Sequence, residues 1–146
     1  MSRFQKSDAS IIDTLRKKGY KATAQRIAVC RFTLNSRDHP NAQKIYAEVK
    51  KFHPTVSLAT VYKTLQILKE QDLIQELDLP ESKARFDSYM DPHINVVCLQ
   101  CGSIQDFSDN IAREMVEKVT TKADFTRTGQ RIDIYGICKT CRGKTK

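Results

Sequence analysis

His53-Pro54-Thr55-Val56-Ser57-Leu58-Ala59-Thr60-Val61-Tyr62-Lys63-Thr64-Leu65-Gln66 joins a proline-bearing turn to a helical pattern with two unlike faces. Leu58, Val61, Leu65 and Leu68 recur as one apolar stripe, and Ser57 stands where the helix needs an N-cap. The opposite face carries Ala59, Tyr62, Lys63 and Gln66. Upstream of the turn, Asn41 can cap a helix with Ala42, Ile45, Tyr46, Val49 and Phe52 on one side. Two helices joined so closely read as a helix-turn-helix, whose second helix enters the DNA major groove. Ala59 is small enough for close approach, Tyr62 can pack on a thymine methyl or bond a phosphate, and Lys63 and Gln66 can reach phosphates or base edges. Ser57 and Thr60 can meet the DNA backbone at the helix N-terminus. An ordinary amphipathic helix with a solvated outer face would show the same pattern, so other features must decide.

The flanking sequence supports the first reading. Ser7 can cap a helix carrying Ile11, Ile12 and Leu15, which ends near Gly19, and Thr23 a second helix carrying Ile27, Phe32 and Leu34. Leu73-Ile74-Gln75-Glu76-Leu77 and Ala84-Arg85-Phe86-Asp87 read as two short strands around a turn-rich segment, the wing of a winged helix. Residues 1–72 hold 14 basic and 6 acidic residues, which accounts for the whole net charge of +8; the remainder sums to zero. A positive field concentrated on one module is the footprint of a polyanion binder. The turn-rich segment at about 78–84 is the expected hinge, dividing a DNA-binding domain, 1–84, from a second domain, 85–146.

That second domain is framed by Cys98-x-x-Cys101 and Cys138-x-x-Cys141. Four thiolates in two such pairs close a tetrahedral shell around zinc with no open position, a structural and not a catalytic arrangement. The 36 residues between the pairs exceed the usual zinc-ribbon gap, so folded structure must fit inside the loop. A strand, an Asp109-capped helix over Ile111 to Lys122 and a second strand over Arg131 to Ile137 supply it. Two disulfides compete with this reading, but Met1-Ser2-Arg3-Phe4-Gln5-Lys6 lacks the apolar region of a signal peptide, and no run approaches transmembrane length. A cytoplasmic protein with no membrane partner is expected. Iron in a rubredoxin-like cage would suit the same sulfurs but leaves the first half of the chain unexplained. Cys30, among Ile27, Ala28, Val29 and Phe32, reads as a small buried hydrophobe.

Taken in order, Ala24-Gln25-Arg26, His39-Pro40, Ser57-Leu58-Ala59-Thr60-Val61-Tyr62-Lys63-Thr64-Leu65, Arg85-Phe86-Asp87, His93, Cys98-x-x-Cys101-Gly102, Asp106-Phe107, Ile134-Tyr135-Gly136 and Cys138-x-x-Cys141 resemble the ferric uptake regulator family over nearly the whole chain. The resemblance implies an α+β protein: a winged-helix domain binding a palindromic operator in double-stranded DNA, followed by a small zinc-containing dimerisation domain. It implies a homodimeric, metal-dependent transcriptional repressor, with Arg26 among the DNA-binding residues. It also implies a regulatory site for Fe²⁺ or Mn²⁺ at His39, Asp87, His93, Asn95 and Asp106. Asn95 departs from the family, which usually has histidine there, and an amide carbonyl is a weaker ligand than imidazole for a transition metal. The aspartates at 87 and 106 resemble the peroxide-responsive branch, in which bound Fe²⁺ leads to oxidation of histidines matching His39 and His93. A zinc-uptake regulator on the same scaffold is the alternative, disfavoured because Gly129 and Gln130 stand where further histidine ligands often occur. His53 matches no ligand position. With no Gly-rich phosphate loop and no Gly-x-Ser-x-Gly elbow, an enzyme is not expected. A zinc or iron Cys₄ module that mediates protein contacts or redox chemistry without binding DNA remains the rival class.

Overall fold

The computed structural model describes residues 6–80 and 82–144; the first five residues, read above for a signal peptide, and Glu81 of the expected hinge lie outside them. The chain divides into two compact units, Met1–Met90 and Asp91–Lys146. This division falls a few residues beyond the 84/85 boundary expected from sequence, because Arg85–Asp87 forms a strand paired with Gln75–Leu77 and so stays with the first unit. Among the described residues no helix is long and apolar enough to cross a membrane.

The first unit contains helices α1 (Asp8–Lys17), α2 (Ala24–Asn35), α3 (Ala42–Lys50) and α4 (Leu58–Glu70), then the antiparallel strands β1 (Gln75–Leu77) and β2 (Arg85–Asp87). Each helix starts where the sequence offers a cap. Ser7, Thr23, Asn41 and Ser57 accept hydrogen bonds from the backbone N–H of Ser10, Arg26, Lys44 and Thr60, satisfying donors that the helix itself cannot. The apolar stripes meet in one core of Ile11, Leu15, Val29, Ile45, Val61, Leu65, Leu68 and Phe86. Phe52 does not join it. Helix α3 ends at Lys50, so Phe52 leaves the apolar face and is 82% exposed.

The second unit is a three-stranded sheet of order β4-β3-β5, made from β3 (Ile94–Cys98), β4 (Ile104–Phe107) and β5 (Ile132–Gly136). Strands β3 and β4 are antiparallel; β3 and β5 are parallel and joined through helix α5 (Asn110–Lys122), capped by Asp109. A parallel pair needs such a crossover, which is the folded structure the long gap between cysteine pairs demanded. A short helix, α6 (Lys139–Lys144), follows. Burial in this unit is sparse: of its apolar residues only Val97, Cys98, Ala112, Val116 and Cys141 are fully buried among those described. Meanwhile Ile111, Met115 and Val119 expose one stripe of α5, and Ile134, Tyr135 and Ile137 are exposed on and after β5.

Candidate metal centres and nucleic-acid interface

The cysteine pairs converge. The Sγ atoms of Cys98, Cys101, Cys138 and Cys141 all lie within 4.8 Å of one another. Sulfurs about 2.3 Å from a shared tetrahedral zinc would stand about 3.8 Å apart, and Cys101 and Cys138 are separated by 3.9 Å. The first pair is shaped by the end of β3. Gly102 adopts a φ of 74°, open to glycine at little cost, and its N–H donates to the Cys98 carbonyl at 2.9 Å, curling the chain so that both thiols face inward. Backbone N–H groups of Cys101 and Cys138 hold the Cys98 thiol down at about 6, so its thiolate forms readily, as a metal ligand's must. The Cys138 thiol, burial and the other cysteines push Cys141 up to about 12 without metal. Burial pushes Cys30 up to about 12 as well, the state of an inert core thiol.

In the first unit, His39 and Asp87 come together. Both are buried, with His39 Nε2 3.7 Å from Asp87 Oδ2. The loop bearing His39 is tied to β2 at several points. Phe86 N–H donates to the Pro40 carbonyl at 3.0 Å, the Arg85 guanidinium donates to the carbonyls of Asp38 and His39, and Ser88 Oγ donates to Ser36 O. Asp87 Oδ1 in turn accepts from Tyr89 N–H at 2.9 Å. Held this way, His39 has a φ of 50°. That left-handed state is uncommon for any side-chain-bearing residue and is further opposed by the following proline.

In the second unit, the register of the sheet gathers His93, Asn95 and Asp106. Asn95 on the central strand lies opposite Asp106 of β4 and Asp133 of β5, so the three share one face. His93 Nδ1 lies 2.8 Å from the Asp91 carbonyl, which only accepts, so Nδ1 carries a proton. In the neutral ring Nε2 then presents its lone pair, 3.1 Å from Asn95 Oδ1 and 3.9 Å from Asp106 Oδ1. Imidazole nitrogen, amide oxygen and carboxylate oxygen form a donor set fit for a divalent cation such as Fe²⁺ or Mn²⁺. The sequence reading missed what stands behind Asn95. Its Nδ2 donates to Asp133, whose carboxylate also accepts from Arg131 and Tyr135. Burial raises the Asp133 carboxyl, and these donors more than offset it, leaving it below the usual carboxylate range. A charged residue in the middle of an apolar strand was the available signal.

The outer face of α4 is exposed at Ala59, Tyr62, Lys63 and Gln66. Ser57 Oγ caps Thr60 N–H at 3.1 Å and lies 2.9 Å from Thr60 Oγ1. Tyr62 Oη accepts from Gln43 Nε2 at 3.4 Å. Arg26 is engaged within the fold: its guanidinium donates to the Lys21 carbonyl at 2.7 Å and lies over the Tyr20 ring. His53 lies in the turn after α3, its N–H donating to the Val49 carbonyl.

A winged helix with a presented α4, followed by an α+β unit gathering four thiols, defines a class of helix-turn-helix proteins with metal-binding second domains. The model of the ferric uptake regulator family matches residues 17–135, and the chain belongs to that family. It is 36% identical over 133 residues to the peroxide-responsive repressor PerR of Staphylococcus aureus, covering 91% of this chain and 90% of that protein. Among solved structures, the Campylobacter jejuni peroxide stress regulator is 38% identical, with a TM-score of 0.73 over 90% of this chain and 98% of that one. The Helicobacter pylori ferric uptake regulator Fur is 25% identical, with a TM-score of 0.78 over 97% of both chains.

Proposed function

We propose that this protein is a cytoplasmic, dimeric, metal-dependent transcriptional repressor of the peroxide-responsive kind, and not an enzyme. Zinc in the Cys98, Cys101, Cys138 and Cys141 cluster holds the second unit together. One regulatory ion, Fe²⁺ or Mn²⁺, takes its ligands from His39 and Asp87 of the first unit and from His93, Asn95 and Asp106 of the second. Ligands from both units give metal a direct route to their relative orientation, and so to DNA affinity. Helix α4 docks in the major groove through Ala59, Tyr62, Lys63 and Gln66, with Ser57, Thr60 and Arg26 serving the backbone and register. The exposed stripe of Ile111, Met115 and Val119 supports a second copy as the occupant of that face, and two-fold symmetry then matches a palindromic operator.

The observation that carries the reading is His39: buried, strained at a φ of 50°, and seated against Asp87 by the wing strand. Strain of about 1–3 kcal/mol at one residue persists where the surroundings over-determine it, commonly at ligand sites. Similarity to the S. aureus peroxide-responsive repressor favours peroxide as the signal. Fe²⁺ held by these ligands would supply the redox chemistry that activates hydrogen peroxide, the net change being peroxide plus imidazole giving oxo-imidazole plus water. His39 and His93 are the rings exposed to that chemistry, and oxidation removes a ligand.

The test is operator binding of the zinc-loaded protein with Fe²⁺ or Mn²⁺, before and after dilute hydrogen peroxide, with mass spectrometry of the peptides bearing His39 and His93. Loss of binding only in the iron form, together with gain of one oxygen on either histidine, is the expected result. Metal-dependent binding without oxidation would make it an iron or manganese sensor. Binding indifferent to metal would overturn the regulatory site.

A further inference from the structure

We infer that Asp133, braced by Arg131 and Tyr135, positions Asn95 so that its amide oxygen ligates the regulatory ion and tunes the site toward a divalent cation that prefers oxygen donors, Mn²⁺ above all; the inference rests on the regulatory site proposed above. A primary amide has one donating and one accepting end, and a buried amide must commit each. Asn95 is only 1% exposed. Its Nδ2 lies 3.1 Å from Asp133 Oδ1, and a carboxylate oxygen only accepts, so the nitrogen faces Asp133. The amide oxygen is thereby turned the other way, to 3.1 Å from His93 Nε2.

Asp133 is itself fixed. Its Oδ2 accepts from Arg131 Nε at 2.8 Å, Arg131 Nη2 at 2.7 Å and Tyr135 Oη at 2.9 Å. Asp133 and Tyr135 alternate along β5 and Arg131 immediately precedes it, and their hydrogen bonds gather the three side chains. The brace is therefore built from one stretch of chain, and the register of the parallel pair sets Asp133 beside Asn95.

What converges in front of this brace is electrostatically one-sided. His93 Nε2 lies 3.1 Å from Asn95 Oδ1 and 3.9 Å from Asp106 Oδ1, so an imidazole nitrogen, an amide oxygen and a carboxylate oxygen stand close enough to share one cation. A carboxylate drawing on the amide N–H also places more negative charge on the amide oxygen, which compensates for the weaker ligand that replaces imidazole. Exchanging a nitrogen for an oxygen donor shifts the balance away from Zn²⁺ and toward cations that prefer oxygen.

The test is titration of the zinc-loaded chain with Mn²⁺, read by competition with a fluorescent chelator, alongside the visible absorption of Co²⁺ bound in the regulatory site. Asp133→Asn should weaken Mn²⁺ binding about 10- to 100-fold, the loss typical of an outer-shell partner, and Asn95→Ala, which removes the ligand itself, at least as much. Both should alter the Co²⁺ bands and leave zinc content unchanged. The double variant should be no weaker than Asn95→Ala alone, because Asp133 acts through Asn95. Tyr135→Phe removes one brace at a partly exposed position and should weaken Mn²⁺ a few-fold, which decides the matter should Asp133→Asn not fold. Wild-type Mn²⁺ affinity in Asp133→Asn and Tyr135→Phe, or additive losses in the double variant, would overturn the inference while leaving the regulatory site standing. Failure of the wild-type chain to take up any ion beyond its zinc would remove both.

Discussion

His39 shows how a single backbone angle carries information that composition does not. Its φ of 50° precedes Pro40, which biases the preceding residue toward extended conformations, so two local preferences are overridden at once. The hydrogen bonds that override them run from β2, from Arg85 and Phe86, to the carbonyls on either side of the imidazole. Replacing the ring should then remove a ligand without dismantling the surroundings. His39→Ala is expected to retain the Cys₄ zinc and the oligomeric state, and to lower Mn²⁺ affinity more than about 100-fold, beyond the usual cost of an outer-shell partner. Zinc analysis, light scattering and Mn²⁺-dependent operator binding check this together; a variant that still answers to Mn²⁺ would move the site elsewhere. At this scale the four cysteines were legible because their chemistry is carried by spacing alone. The His39 strain and the Asp133 brace were not, because one depends on a dihedral angle and the other on which residues a sheet register sets side by side. Phe52 was misread for a related reason: periodicity extends an apolar stripe past the point where the helix stops.

The caps make the helices the most readable elements of this chain. Ser7, Thr23, Asn41, Ser57 and Asp109 each precede an apolar period and each takes a backbone N–H, so chain polarity and helix starts follow from local chemistry. The bounds of strands β3 and β4 are harder to read, since the side chains that place them, Asn95 and Asp106, are polar and interrupt the alternation expected of a half-buried strand. Helix α6 carries Gly143 and no apolar stripe, so no periodicity announces it. For α4 the separation of faces is complete: Val61, Thr64, Leu65 and Leu68 are buried while Ala59, Tyr62, Lys63 and Gln66 are exposed. Changes on the outer face should therefore affect DNA without affecting the fold. Lys63→Ala is expected to weaken operator binding evenly across sequences and to reduce the slope of log affinity against log salt by about 1, the signature of one lost phosphate contact. Tyr62→Ala should relax sequence preference as well. Titrations at several salt concentrations measure both, and wild-type binding by the two variants would sink the docking of α4.

On the scale of the whole molecule, the two units are held together by different means. The first buries a continuous core contributed by four helices and the wing, from Ile11 to Phe86, with none of the four clustered cysteines in it. The second has five fully buried apolar residues among those described, two of them cysteines of the cluster, and it leaves a broad apolar stripe of α5 uncovered. A unit of that size with so little core needs a staple, and a structural zinc serves as one because the free energy of binding is also free energy of folding. The units should accordingly part company when the metal is withdrawn. A thiol-competent chelator, or Cys141→Ser, is expected to unfold the second unit and release the dimer while the helices of the first persist. Thermal melts followed by circular dichroism should then show a retained helical transition, and light scattering a monomer. Because α5 lies between the two cysteine pairs and exposes Ile111, Met115 and Val119, dimer loss should track zinc loss in proportion. A chelated protein that remains dimeric, with an intact second unit, would mean that packing alone suffices there and that the four thiols are not the staple.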